Sequence, residues 1–191
     1  MRVERLTPDL LDDWLAYFDH DAFADNADWE GCYCCFFHMD EDAWGQTTPE
    51  RNRALAAELV TKGELNGYLA YSDEGQPVGW CQAAPFLSIP NLACDRELLS
   101  DDAGLVGSIV CFNVAAACRK QGVAAVLLEA ACDGFRAAGL HIAEAYPRPE
   151  AEGDAANYHG PLALYLRAGF KPRRQLVNLT IVRKALTNGE E

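Results

Sequence analysis

Arg119-Lys120-Gln121-Gly122-Val123-Ala124 follows an apolar run, Ile109 to Val114, and opens an amphipathic stretch that ends near Ala138. A strand that turns into a helix at a glycine exposes the helix's unbonded N–H groups and the positive end of its dipole, so a diphosphate can approach those amides closely. Arg119 and Lys120 add side-chain charge beside them. The same residues would serve an ordinary strand–turn–helix junction, and context has to separate the two. Glu144 lies in His141-Ile142-Ala143-Glu144-Ala145-Tyr146, a strand otherwise apolar. A carboxylate is costly to bury there without a partner, so Glu144 reads as a general base, or else as half of a salt bridge or an outward-facing edge residue. His159 and His38 are further candidates for the base, each with a structural reading beside it.

The second chemical cluster is Gly31-Cys32-Tyr33-Cys34-Cys35-Phe36-Phe37-His38. Thiols and an imidazole could hold a metal, yet the spacing has no CxxC knuckle and no evident second ligand pair, so no metal is expected. Buried small hydrophobes, or the wall of a pocket, fit these cysteines better. A metal- or metalloid-responsive protein built on Cys32, Cys34, Cys35 and His38 stays as an alternative. The other five of the eight cysteines are scattered, and without a secretion signal reduced thiols are expected. Tyr33, Phe36, Phe37 and Trp44, with Trp80 and Cys81, form either an aromatic pocket, with Cys111 in its wall, or a plug of core.

These residues need elements to position them. Arg2 to Leu6 alternates as a strand, and Thr7-Pro8 reads as a cap and first turn of a helix to about Phe18. Residues 20–45 are aromatic without clear period. Thr48-Pro49 opens a second helix that ends near Gly63. Tyr68 to Tyr71 and Pro77 to Ala84 flank Asp73-Glu74-Gly75-Gln76 as a hairpin. Residues 85–106 read as loop with room for a short helix, Gly107 to Val114 as a buried strand and Gly122 to Ala138 as a helix. After the strand at 141–146 come a loop (147–157), a helix from Leu162 to Gly169 and one or two strands to Lys184.

The later segment Tyr158-His159-Gly160-Pro161-Leu162-Ala163-Leu164-Tyr165-Leu166-Arg167-Ala168-Gly169-Phe170 supplies the context. Together with Arg119 to Ala124 it resembles the GNAT acyltransferase superfamily, which pairs an (R/Q)xxGx(G/A) turn after the fourth strand with a Y-x-x-x-G-F helix end. The motifs span roughly residues 107–172. The resemblance implies an α/β fold with a mixed, mostly antiparallel sheet flanked by helices and splayed between its fourth and fifth strands, and acetyl-CoA as co-substrate. It places Phe112, Asn113 and Val114 along the pantetheine arm, and Arg119, Lys120, Gln121, Gly122, Val123 and Ala124 at the pyrophosphate. Tyr165 falls near the CoA sulfur, where a phenol can give its proton to the departing thiolate; packing on the core is the other use of that ring. The family's asparagine seven residues before this tyrosine is replaced by Tyr158, with Asn157 next to it, and Pro161 stands near the helix start.

The implied reaction is acetyl transfer to a primary amine of a small molecule or peptide by direct attack. Cys111 as a nucleophile has no evident histidine partner or oxyanion signature. A non-catalytic acyl-CoA-binding module is the alternative outside enzymes, and the resemblance makes a homodimer an expectation. The 191 residues, 50% hydrophobic, suit one domain over 1–186, with an elaboration at 20–63 and a polar tail at 187–191. The net charge of −13 argues against nucleic-acid and anionic-membrane partners, and the expected location is the cytoplasm.

Overall fold

The computed structural model describes residues 1–149 and 153–186. The opening strand β1 (Arg2–Arg5) leads through a 3-10 turn at Pro8–Leu10 into α1 (Leu11–His20). Thr7 precedes that turn as expected, but its side chain makes no capping bond. The aromatic stretch that follows is irregular, with 3-10 turns at Ala27–Trp29 and Cys35–His38, and leads to α2 (Glu41–Gly45). In α3 (Pro49–Lys62) the Thr48 hydroxyl accepts from Arg51 N–H at 3.3 Å, proline occupies the first turn, and Gly63 ends the helix in the left-handed region.

The hairpin is β2 (Gly67–Tyr71) and β3 (Pro77–Pro85). Between it and β4 (Val106–Val114) the chain forms a 3-10 turn at Phe86–Ser88, then α4 (Pro90–Cys94), and a second 3-10 turn at Ala103–Leu105. Next come α5 (Val123–Ala137) and β5 (Ile142–Ala145). The short α6 (Gly153–Ala156) lies in what sequence marked as loop, and α7 (Leu162–Arg167) follows. Two strands, β6 (Lys171–Gln175) and β7 (Thr180–Ala185), finish the described chain; the polar tail at 187–191 lies outside the described residues.

All seven strands form one sheet in the order β1-β2-β3-β4-β5-β7-β6. Every neighbouring pair is antiparallel except β4 and β5, which run parallel from Val106↔Ile142 to Ile109↔Ala145. Pairing with β5 ends there, while β4 continues beside β3 as far as Gly79↔Val114. The mixed, mostly antiparallel sheet with its opening after the fourth strand is therefore the architecture the resemblance implied.

Alternation along the strands divides the core. Cys81, Ile109 and Val182 pack on α5 through Leu127, Ala131 and Phe135. Trp80, one residue from Cys81, instead joins Trp14 and Phe18 of α1 and Leu59 of α3. Val106, Val110 and Tyr146 meet Phe37 and Phe86 in a third cluster. The irregular segment at 20–45 is thus sheet-covering structure rather than linker, and it brings its aromatics to the far end of β4.

Candidate functional site

Gly122 caps α5 with φ +89° and ψ −1°, and a β-carbon there would meet nothing within 4 Å. The glycine is required by its left-handed backbone, not by crowding, and the space before the turn is open. The first hydrogen bonds of the helix run from Ala125 and Val126 N–H to the Gly122 carbonyl. The amides of Val123 and Ala124 precede them, and no side chain caps the end. That arrangement fits the diphosphate of acetyl-CoA.

Arg119 and Gln121 have other employment than the turn's sequence suggests. The Arg119 guanidinium grips both carboxylate oxygens of Asp25, and its Nε donates to the Val114 carbonyl at 3.1 Å. The hydrogen bonds from Arg119 hold the Asp25 carboxyl below its usual pKa. Gln121 Nε2 donates to the Ala117 carbonyl at 2.8 Å. Arg119 therefore links the turn, the end of β4 and the irregular segment.

The edge of β4 that β5 leaves is lined by the chain itself. Phe112 N–H donates to the Tyr158 carbonyl at 2.6 Å, and His159 Nδ1 lies 2.7 Å from the Val110 carbonyl. In this arrangement the backbone amide of Phe112, which the resemblance set along the pantetheine arm, is held by the Tyr158 carbonyl. Asn113 is tied by its side chain to Tyr17 (2.5 Å) and to the Ala22 carbonyl (2.8 Å), fixing β4 to α1. Asn157 donates to the Gly153 carbonyl at 3.1 Å, and the Tyr158 hydroxyl accepts from Arg148 at 3.1 Å, so neither side chain substitutes simply for the family's asparagine.

His159 is buried, and burial pushes its pKa down to about 4. A proton that the unfolded chain binds below about pH 6.5 is refused by the fold until about pH 4, so this residue's contribution is complete above pH 6.5 and lost as pH falls through that window. The expected loss is roughly 3 kcal/mol at most. Urea unfolding at pH 7 and pH 5 should show a smaller acid-induced drop for His159→Asn than for the unaltered chain; equal drops would contradict it.

Beside this edge lies a cavity of about 440 Å³. Phe112, Asn113, Val114 and Arg119 form one side, and Trp29, Phe36, Phe37 and Trp44 supply aromatic wall on the other. Cys32, Cys34 and Cys111 contribute sulfur. Of the residues expected to form a pocket, Phe36, Phe37, Trp44 and Cys111 line it, and Tyr33, Trp80 and Cys81 do not. Tyr33 donates its hydroxyl to Asp19 at 2.7 Å, and Trp80 Nε1 donates to Cys34 Sγ at 3.2 Å. Phe23, Asp25, Asn26 and Trp29 were missed, because the segment's aromatic density carries no period from which a face can be read.

Neither of the two expected catalytic side chains lines this cavity. Tyr165 is fully buried, packs near Phe112 and Phe170, and donates its hydroxyl to the His159 carbonyl. Burial raises its pKa well above that of a free phenol. Tyr165→Phe should lower stability by about 1–3 kcal/mol, because the buried carbonyl loses its donor; an unchanged urea midpoint would argue against that bond. Glu144 is also buried, with Tyr146 donating to one carboxylate oxygen at 2.6 Å and Arg183 Nε donating to the other. Arg183 continues to Asp102 (2.7 Å) and Ser100 (2.9 Å). Of the uses open to Glu144, the salt bridge is the one formed.

The cysteine cluster does not converge as a ligand set. Cys35 Sγ turns to the Asn52 carbonyl at 3.2 Å, while His38 meets Gln82 at 3.0 Å. Among the described residues no group of three or more His, Cys, Asp or Glu side chains could hold a metal, and no helix is long and apolar enough to cross a membrane.

A sheet that parts beside a glycine turn at a helix N-terminus is the arrangement the sequence resemblance implied. The model of the acetyltransferase (GNAT) family matches residues 3–170, and the chain belongs to that family. Solved structures agree in fold. An N-acetyltransferase from Staphylococcus aureus Mu50 is 15% identical with a TM-score of 0.58, over 97% of this chain and 98% of that one. The ribosomal-protein-alanine N-acetyltransferase from Brucella melitensis is 18% identical with a TM-score of 0.57, over 97% and 99%. YncA, a putative acetyltransferase from Salmonella typhimurium solved with acetyl-CoA, is 14% identical with a TM-score of 0.58, over 100% and 96%. Comparison with curated proteins finds no match.

Proposed function

We propose that this acetyltransferase moves the acetyl group of acetyl-CoA to a primary amine by direct attack in a ternary complex, with the body of the amine held in the aromatic cavity. The observation that carries this reading is the cavity's position: it joins the end of β4 beyond its pairing with β5, Arg119 of the turn and the aromatic wall in one space. Family membership and the acetyl-CoA complex of the Salmonella structure support the co-substrate. Acetyl-CoA supplies a thioester whose thiol is a good leaving group.

The chain's own part is binding, orientation and exclusion of water. The amides of Val123 and Ala124 would hold the diphosphate, and Arg119, gripped by Asp25, ties the turn to the irregular segment. Attack requires a neutral amine, and an apolar wall of Trp29, Phe36, Phe37 and Trp44 disfavours the ammonium form. The cavity suits an amine with an apolar or aromatic body, as a small molecule or a peptide end. Tyr165 acts here as a positioning residue that fixes the His159 carbonyl and the segment lining β4. With a net charge of −13 the acceptor is not a nucleic acid, and we place the reaction in the cytoplasm.

The test is CoA release with primary amines ranging from arylalkylamines to polyamines and peptides, each product weighed by mass spectrometry. Acetylated amine, favouring apolar bodies, is expected. Tight acetyl-CoA binding with no product from any amine would favour a non-catalytic acyl-CoA-binding module.

A further inference from the structure

Cys34 and Cys111 are 77 residues apart in sequence, yet their sulfurs lie 3.8 Å apart. Both line the cavity, Cys34 from the irregular segment and Cys111 from β4. Their approach is built rather than incidental. Tyr33 and Cys34 hold φ values of +44° and +52°, a left-handed pair without glycine, and such backbone persists only where its surroundings impose it. Trp80 N–H fixes the Cys34 sulfur from behind, and the Cys34 thiol donates toward the Cys111 sulfur. We propose that Cys34 and Cys111 are a redox pair, a modification site at which a peroxide converts two cavity thiols into one disulfide bridging the irregular segment to β4.

The order of the chemistry follows from exposure. Cys111 is partly exposed in the cavity wall, whereas Cys34 is buried with its sulfur held by Trp80, so Cys111 is the sulfur that peroxide reaches first. Cys111 thiolate attacks peroxide oxygen: an S–O bond forms, the O–O bond breaks, and the leaving hydroxide takes a proton to become water. Cys34 then attacks the Cys111 sulfur; the S–S bond forms, the S–O bond breaks, and the departing hydroxide leaves as water with the Cys34 proton. Two thiols are oxidised and one hydrogen peroxide is reduced to two waters. Cys32, though also in the cavity wall, and Cys35, committed to the Asn52 carbonyl, stay outside the pair.

The experiment does not depend on acetyl transfer, so its outcome is separable from that of the proposed function. Protein carrying Cys94→Ser, which removes an exposed thiol, is titrated with hydrogen peroxide, alkylated and digested without reductant. The expected product is a single linked pair of peptides containing Cys34 and Cys111, with the intact mass lower by two hydrogen atoms and restored by dithiothreitol. In a second variant that also carries Cys34→Ser, the link is lost and Cys111 is trapped as a sulfenic acid by dimedone. Separate alkylation of both thiols after peroxide, or a link between another cysteine pair, would overturn the proposal. So would dimedone labelling of Cys34 in place of Cys111.

Discussion

Gly122→Val is expected to weaken acetyl-CoA binding about a hundredfold while leaving the protein folded. The residue sits at φ +89°, where a β-branched side chain is strained, and the backbone cost is about 1–2 kcal/mol. Nothing lies within 4 Å of the new β-carbon, so no clash with the rest of the protein adds to it. The larger effect falls on the ligand. The valine projects into the open space before the amides of Val123 and Ala124, and each charge-assisted hydrogen bond lost there is worth about 1.5–3 kcal/mol. Calorimetric titration beside a thermal melt separates the two effects. Equal affinities would remove the turn from the binding site, and collapse of the fold would show that the glycine's role is structural.

Arg183→Met is expected to be the most destabilising single change, by about 3–5 kcal/mol, or a fall in Tm on the order of 10 °C. Glu144 is 1% exposed and keeps Tyr146 as its remaining donor once the guanidinium is gone, and a buried carboxylate without its countercharge is far costlier than an intact pair. Adding Glu144→Gln removes the orphaned charge and should recover part of the loss. If Arg183→Met melts like the unaltered chain, the ion pair does not hold β5 to β7. If Glu144→Gln by itself abolishes turnover without lowering Tm, the carboxylate has the catalytic use first read from its strand.

What sequence revealed and what it hid divide along contact range. Gly122 was legible because a left-handed glycine directly precedes a helix start, a short stretch after a strand, and local rules govern all three. Thr48-Pro49 and Gly63 bounded α3 for the same reason. The resemblance implied a mixed sheet but not its strand order, since β5 pairing with β7 rather than β6 has no local signature. The site's wiring was hidden. Arg119 reads as a cation for an anion until Asp25, 94 residues earlier, is seen to hold it. Glu144 had a base and a salt-bridge reading that only its cross-strand neighbour Arg183 could separate. Tyr158 signals a departure from the family's asparagine, but its main contact with β4 is a backbone carbonyl, which no residue type encodes. Cys34 was grouped with Cys32, Cys35 and His38 because they are adjacent in sequence, whereas its partner lies on β4.

Binding of acetyl-CoA across the turn at 119–124 and the end of β4 is read amide by amide in hydrogen–deuterium exchange with and without the ligand. Acetyl-CoA is expected to slow exchange at Val123 and Ala124, the two amides at the open start of α5, and to alter it at Phe112, whose amide is held by Tyr158 in the free protein. Binding that leaves all three amides unchanged, or no binding at all, would contradict it.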